Sequence, residues 1–243
     1  MAIKLTNTDV TVQYVNMLVY GESGIGKTTL CGTAPSPLII SAEAGLMPLR
    51  GKNIDVFEVK TRKNVDEVYD WLKGSEEAAK YETVELDSLS EIAEVLLNDE
   101  KARTKDARQA YGVMAEELAV LVRGFRDLPM HVCFTAKQKK VVDEATGAIT
   151  IMPSVPGKAM LDNLPYFFDE VFLLTLGKTK DREVYRYLST SAGARHVAKD
   201  RSGLLLPQEK PDLTYIINKI LEVNKPAKTE KESTNKNPIK PKT

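Results

Sequence analysis

A glycine-rich motif of eight residues constrains the fold of this sequence more than any other feature. Residues 21–28 read Gly-Glu-Ser-Gly-Ile-Gly-Lys-Thr, which is the complete Gly-x-x-x-x-Gly-Lys-Thr pattern of a phosphate-binding loop. The motif follows the apolar run 15–20, which is typical of a buried parallel strand, and a helix is expected to begin near Lys27. An accidental glycine turn is a poor alternative explanation, because all eight positions and both flanking segments match the phosphate-loop pattern. The sequence therefore predicts a strand, a loop and a helix arranged to hold phosphates.

The chemistry of this motif points to a nucleoside triphosphate bound with magnesium. Glycine lets the backbone approach phosphates closely, so that consecutive amide groups can donate hydrogen bonds to phosphate oxygens. Lys27 supplies a positive charge that serves binding and catalysis, the Thr28 hydroxyl is suited to Mg2+, and the dipole of the following helix adds to the attraction. We expect ATP and Mg2+ as ligands. The residues predicted to hold the nucleotide are Gly21, Glu22, Ser23, Gly24, Ile25, Gly26, Lys27, Thr28 and Thr29.

Asp87 is the predicted second ligand of the metal, together with Thr28. It ends the apolar run 81–86, and in a parallel sheet its carboxylate would emerge at the edge where the phosphate loop lies. Asp87 could instead cap the next helix, but Ser88 explains that cap better because it starts a capping-box pattern with Glu91.

Glu43 is the candidate general base for hydrolysis. It follows the apolar run 37–41, so its side chain should emerge at the same edge of the sheet, within reach of an attacking water. On spacing alone, a solvated loop glutamate is an equally good interpretation.

Apolar runs and amphipathic segments alternate along the chain, which predicts an α/β fold with a mostly parallel central sheet flanked by helices. Further strands are expected at 54–59 and 130–135. In the last third, 139–142 and 148–152 predict a protruding hairpin, and 171–176 and 183–188 predict an antiparallel extension of the sheet. We expect one domain over residues 1–223 and a disordered, lysine-rich tail over 224–243, because the tail has little apolar surface to bury.

Composition excludes several classes of protein. Lysine plus arginine and aspartate plus glutamate number 34 each, so no global charge attracts the chain to nucleic acid or to a membrane surface. The two cysteines, Cys31 and Cys133, suggest neither a disulfide framework nor a zinc site. No apolar run approaches the length of a signal peptide or a spanning helix. These observations predict a cytoplasmic protein without a membrane partner.

Three motifs in order resemble the ATPase core of the RecA recombinases. They are the phosphate loop, Ile-Ile-Ser-Ala-Glu-Ala-Gly-Leu at 39–46 and Leu-Asp-Ser-Leu at 86–89. The compact size and the short link from Thr28 to Pro37 are more specifically similar to the RecA-like phage Sak single-strand annealing proteins. The resemblance spans roughly residues 12–205, implies that Glu43 is the hydrolytic base, and implies the host cytoplasm as location. In place of the Asn-Gln pair by which RecA couples ATP to DNA, this sequence has Lys137 and Gln138.

A later segment, Ala-Lys-Asp-Arg-Ser-Gly at 198–203, resembles the Lys-x-Arg element of RadA and DnaB-type ATPases. In those proteins the element reaches the γ-phosphate bound by a neighbouring subunit. The resemblance implies that Lys199 and Arg201 are catalytic and that the ATP sites are shared in a homo-oligomer, as a ring or a filament. Without the resemblance, a solvated basic turn would be the preferred interpretation.

The resemblance also implies single-stranded DNA as a partner, and a single-strand DNA-binding protein is a further candidate partner. Basic residues on flexible loops can follow a phosphate backbone with little sequence preference. One predicted DNA loop spans 98–109 and the other follows Thr135, although each also carries acidic residues. The candidate DNA-binding residues are Lys101, Arg103, Lys105, Arg108, Lys137, Lys139, Lys140 and Lys158.

Three functions remain open at this level. The first is a DNA-stimulated ATPase that promotes annealing or pairing of single strands. The second is a replication or repair motor of the DnaB or RadA type. The third is a nucleotide switch or phosphotransferase without a DNA role.

Overall fold

The computed structural model describes residues 13–43, 45–193 and 195–222. The predicted tail, 224–243, lies outside these residues. Ten strands of the described chain form one sheet. They are β1 Asn16–Gly21, β2 Pro37–Ser41, β3 Asp55–Glu58, β4 Thr83–Asp87, β5 His131–Val142, β6 Ile149–Ser154, β7 Glu170–Lys178, β8 Val184–Ser189, β9 Lys199–Asp200 and β10 Gln208–Glu209.

The sheet is mostly parallel, as the alternation of strands and helices predicts. Its order is β10-β8-β7-β1-β5-β4-β2-β3, and all neighbours from β7 to β3 in this order are parallel. The antiparallel pairs are β6 on β5, β8 and β9 on β7, and β10 on β8. Because β1 lies between β5 and β7, the loop that follows it emerges near the middle of the carboxyl edge.

Helices cover both faces of the sheet. They are α1 Lys27–Cys31, α2 Arg62–Gly74, α3 Leu89–Arg103, α4 Ala107–Arg126, α5 Lys158–Asn163 and α6 Leu213–Glu222, with short 3-10 turns at Met47–Leu49, Glu76–Lys80 and Leu164–Phe167. The helices α2, α3 and α4 bury apolar side chains such as Phe125 against Phe134 and Leu86 on one face. On the other face, α1 and α6 pack around Met17 and Phe172. Alternate residues of the central strands β1 and β7 therefore enter two separate cores. Each large apolar side chain that is fully buried contributes about 1.5–3 kcal/mol.

The predicted flexible loop 98–109 is wrong. α3 continues to Arg103 and α4 begins at Ala107, which leaves only 104–106 between them. Charges that looked like a loop signal instead stabilise the helices: Arg103 pairs with Asp99 and Glu100 within α3, and Asp106 accepts hydrogen bonds from two amides at the start of α4.

The two predicted hairpins are confirmed. β5 leaves the core after Ala136 and continues to Val142, where a turn at Asp143 leads into β6. β7 and β8 form the antiparallel extension. Across the described ranges, no helix is both long enough and apolar enough to cross a membrane.

Candidate functional site

The phosphate loop lies between the end of β1 and the start of α1. Gly24 and Gly26 have φ values of 75° and 106°, a conformation that costs other residues about 1–2 kcal/mol, so glycine is required here by the backbone itself. The predicted helix begins at Lys27 and is short, because α1 ends after five residues at Cys31. The dipole of so short a helix is small, so an anion would be attracted mainly by the loop amides and Lys27.

The side chain of Lys27 is hydrogen-bonded to the backbone of this loop. Its Nζ donates hydrogen bonds to the carbonyl oxygens of Gly21 at 3.1 Å and Glu22 at 3.0 Å. Burial lowers the pKa of Lys27, while the nearby carboxylates of Glu43 and Asp87 act in the opposite direction and favour its charged form. The lysine is therefore held by the same loop whose ligand it is predicted to bind.

Asp87 and Thr28, the two predicted magnesium ligands, lie in contact. The hydroxyl of Thr28 donates to Asp87 Oδ2 at 2.7 Å, and the hydroxyl of Thr135 donates to Asp87 Oδ1 at 2.5 Å. These oxygen ligands are of the type that Mg2+ prefers. Within the described residues no group of three or more His, Cys, Asp or Glu could hold a metal alone. The donor set thus fits a magnesium ion that completes its coordination with water and substrate phosphates.

Glu43 lies beside the same loop. Its Oε1 accepts a hydrogen bond of 2.6 Å from the hydroxyl of Ser88, and its carbonyl oxygen accepts one of 2.6 Å from Ser41. Ser88 also caps α3 by accepting from the amide of Glu91, as the capping pattern predicts. Glu43, Lys27 and Thr28 all line a cavity of about 860 Å³. The hydrogen bond from Ser88 therefore holds the Glu43 carboxylate beside the phosphate loop.

The protruding part of β5 begins at this site. The side-chain amide of Gln138 donates to Glu22 Oε1 of the phosphate loop at 3.0 Å, and the ammonium of Lys137 pairs with Glu91, which raises the pKa of Lys137. A second cavity, of about 450 Å³, is lined by the phosphate loop, by Glu43 and by residues 137–140. The basic candidates Lys139 and Lys140 therefore lie on a strand next to the phosphate loop rather than on a loop, and Lys158 begins α5.

Lys199 and Arg201 lie at the opposite edge of the sheet. β9 pairs with the first residues of β7, Glu170 and Val171, whereas the phosphate loop follows the last residue of β1. Lys199 Nζ donates to the carbonyl oxygen of Pro165 at 2.8 Å, and Arg201 pairs with Asp169 at 2.8 Å. Neither side chain lines the cavities at the phosphate loop of its own chain.

The other basic candidates, Lys101, Arg103, Lys105 and Arg108, also lie away from these cavities. Arg103 is engaged in the ion pairs within α3, and Lys101 lies over the ring of Tyr111, 5.4 Å from its centroid. The structure therefore separates the two groups of predicted DNA-binding residues: 137–140 adjoin the phosphate site and 101–108 do not.

Sequence reasoning missed Thr135, the contact of Ser88 with Glu43, and Arg186. Thr135 is a buried polar residue of β5 that lies one position beyond the residues paired with β4, which was a usable signal. Arg186 lies on β8 and donates to the carbonyl oxygen of Ile25. Its strand pattern gave no indication of that contact, because the two residues meet only through the pairing of β8 with β7 and of β7 with β1.

Comparisons with known proteins identify one family model and distant solved structures. A family model described as an AAA domain matches residues 13–202. No curated protein matches the sequence. Among solved structures, a KaiC-like protein from the hyperthermophilic archaeon Pyrococcus horikoshii is 16% identical, with a TM-score of 0.37 over 72% of this chain and 76% of that one.

Proposed function

The chain belongs to the AAA domain family, and on that premise we propose that it is a magnesium-dependent ATPase that binds single-stranded DNA and promotes annealing or pairing. The annealing role comes from the resemblance of its motifs to phage Sak proteins. The ATPase role has the stronger support, because it rests on residues that lie in contact in the folded chain.

One observation carries the ATPase proposal: Asp87 accepts hydrogen bonds from Thr28 and Thr135 beside the phosphate loop. These residues come from three separate elements, α1, β4 and β5, which the fold brings together beside the phosphate loop. Thr28 and Asp87 would hold Mg2+, which neutralises phosphate charge when bound.

Hydrolysis also needs a group that orients the attacking water. Glu43 meets this need, because the Ser88 hydroxyl fixes one carboxylate oxygen at 2.6 Å and leaves the other to accept a hydrogen bond from water. Lys27 would stabilise the negative charge on the phosphates in the transition state. Together these side chains can bind, orient and stabilise the charge of a triphosphate during attack by water.

The DNA part of the proposal is supported by the position of β5 and β6. The strand that contacts the phosphate loop through Gln138 and Glu22 continues into two lysines of the hairpin, the half-buried Lys139 and the exposed Lys140. β5 would therefore connect a nucleic acid lying along the hairpin directly to the bound nucleotide. This linkage is the physical basis for expecting DNA to change the ATPase rate.

The test is ATP hydrolysis by the purified protein with and without single-stranded DNA, at low salt and in the presence of Mg2+. We expect Mg2+-dependent hydrolysis that DNA stimulates, and loss of turnover in Lys27→Ala and Glu43→Gln. Glu43→Gln should retain ATP binding, whereas Lys27→Ala should lose it. If single-stranded DNA did not change the hydrolysis rate, the proposed recombination role would be wrong and the proposed ATPase role would stand. Absence of hydrolysis in folded protein would remove both.

A further inference from the structure

The phosphate loop has two flanks, and they differ in chemistry. β1 is bordered by β5 on one side and β7 on the other. Asp87, Glu43 and Gln138 all belong to β5 or to strands and connections beyond it. Arg186 belongs to β8, on the β7 side. The residues suited to hydrolysis therefore occupy one flank and an arginine occupies the other.

Arg186 contacts the loop directly. Its Nε donates to the carbonyl oxygen of Ile25 at 2.8 Å, and a Cβ placed on Gly26 would lie 3.5 Å from that nitrogen. The same position on Gly26 is 4.0 Å from Thr29 Cβ, so the guanidinium lies at the end of the loop where α1 begins. Arg186 also lines the cavity that contains Lys27 and Thr28.

The rest of the guanidinium has no acid to neutralise it. Among the described residues, no carboxylate forms a salt bridge with Arg186. Using Nε for a carbonyl leaves the two terminal amines as a fork of donors, which suits phosphate oxygens. A neutral polar side chain would satisfy Ile25 equally well, so the contact with Ile25 alone does not account for a cation at this position.

We propose that Arg186 is a nucleotide-binding residue that acts within its own subunit and contacts the phosphates common to ADP and ATP. This inference about Arg186 rests on the proposed function, because it concerns the same nucleotide site. Since Arg186 lies on the flank away from Glu43, it stabilises bound nucleotide before and after hydrolysis and does not orient the attacking water. Removing its charge should weaken ADP and ATP binding equally and leave turnover of the bound nucleotide nearly unchanged.

Glutamine separates the charge from the hydrogen bond. In Arg186→Gln the side-chain amide can still donate to Ile25, whereas Arg186→Ala loses both roles. Arg126→Gln is the matched control, because Arg126 is at the end of α4 and pairs with the neighbouring Asp127 far from the loop. Calorimetry with ADP and with a non-hydrolysable ATP analogue, at two salt concentrations, measures the affinities, and steady-state kinetics give kcat and KM.

We expect Arg186→Gln to lower the affinity for both nucleotides about tenfold, to weaken the salt dependence of ADP binding, and to change kcat less than about twofold. Arg126→Gln should match the wild type. Wild-type ADP affinity in Arg186→Gln, or full recovery of the alanine variant's loss by glutamine, would overturn the proposal in favour of a purely structural contact. A loss confined to the ATP analogue would overturn it in favour of a γ-phosphate contact.

These outcomes are separable from the fate of the proposed function. A wild-type protein that binds ADP but hydrolyses nothing would end the ATPase proposal while the role of Arg186 in binding stands. A wild-type protein that hydrolyses ATP, with an Arg186→Gln variant of unchanged ADP affinity, would end only the inference about Arg186.

Discussion

Two buried glutamates, Glu85 and Glu170, hold their protons more tightly than exposed glutamates do. Glu85 is fully buried beside the thiols of Cys31 and Cys133, and neither of its carboxylate oxygens accepts a hydrogen bond from a nitrogen or oxygen donor. Glu170, at the start of β7, has one such oxygen, Oε2. Burial raises the pKa of both carboxyl groups, well above its usual range for Glu85 and to about 8 for Glu170, where the charge of Asp200 adds to the effect.

The raised pKa of Glu170 predicts a specific dependence of stability on pH. Between pH 4.5 and about 8 the unfolded chain releases this proton and the folded chain keeps it, so the free energy of unfolding falls as pH rises. Glu170→Gln cannot titrate and should become more stable than the wild type by an increasing margin, reaching on the order of a few kcal/mol by pH 8. Urea unfolding at pH 5 and pH 8 measures the margin.

The comparison needs an exposed glutamate as control, and Glu144 in the β5–β6 turn is suitable. Glu144→Gln should shift stability by a similar small amount at both pH values. If the margin for Glu170→Gln were the same at pH 5 and pH 8, the carboxyl group would be ionised in the folded protein and the expected linkage would be wrong.

Ser88 is predicted to position Glu43. Ser88→Ala removes the hydrogen bond of 2.6 Å to the carboxylate, so the proposed water-orienting group would lose its fixed direction. We expect kcat to fall about tenfold with a much smaller change in KM. The same change removes the cap of α3 and costs about 1 kcal/mol of stability, which chemical denaturation reports separately.

Ser75→Ala gives the matched control for that experiment. Ser75 caps the short 3-10 turn Glu76–Lys80 by accepting from the amide of Glu77 at 3.1 Å, away from the phosphate loop. Its loss should lower stability without changing kcat. Equal kcat values for Ser88→Ala and the wild type would show that Glu43 needs no support from Ser88.

At the scale of elements, the β5–β6 hairpin and the α3–α4 turn are rival sites for nucleic acid. Lys139→Ala with Lys140→Ala should lower the affinity for single-stranded DNA and its stimulation of hydrolysis, because the hairpin adjoins the phosphate loop. Basal ATPase activity should stay within about twofold, and the salt slope of DNA binding should fall by about 1.4. Fluorescence anisotropy at several salt concentrations measures that slope.

Lys101→Ala with Lys105→Ala removes the same charge from the α3–α4 region, away from either phosphate-site cavity. We expect a smaller effect on DNA stimulation from this pair. A larger loss of stimulation from the α3–α4 pair than from the hairpin pair would reverse the assignment.

The elements themselves were largely predictable from the sequence, for physical reasons that also explain the failures. Buried parallel strands are apolar on both faces, so runs such as 15–20 and 130–135 stand out. The prediction of a loop at 98–109 failed because charges that stabilise a helix by ion pairs look the same in sequence as charges on a loop. Arg186 was missed because its contact with Ile25 depends on strand pairing across 161 residues of sequence, which no local pattern encodes.

For the whole molecule, the separation of Arg201 from its own phosphate loop limits how Arg201 could take part in hydrolysis. Arg201 lies beside Asp169 at the edge where β7 begins, and the phosphate loop lies at the edge where β1 ends. An arginine so placed can act on a triphosphate only from a neighbouring subunit. An assembly in which the edge with Arg201 faces the next phosphate loop would bring the two together, as the Lys-x-Arg resemblance implies.

This arrangement predicts complementation between two inactive variants. Arg201→Ala and Glu43→Ala should each suppress turnover, but an equal mixture should recover up to about a quarter of wild-type activity, because about one junction in four pairs an intact Glu43 with an intact Arg201. Steady-state hydrolysis after subunit exchange measures the recovery. Lys27→Ala mixed with Glu43→Ala is the control, since both residues lie at the same phosphate loop and no junction regains them together. Recovery in the control as well would exclude this explanation, and no recovery in either mixture would mean that Arg201 does not complete a shared site.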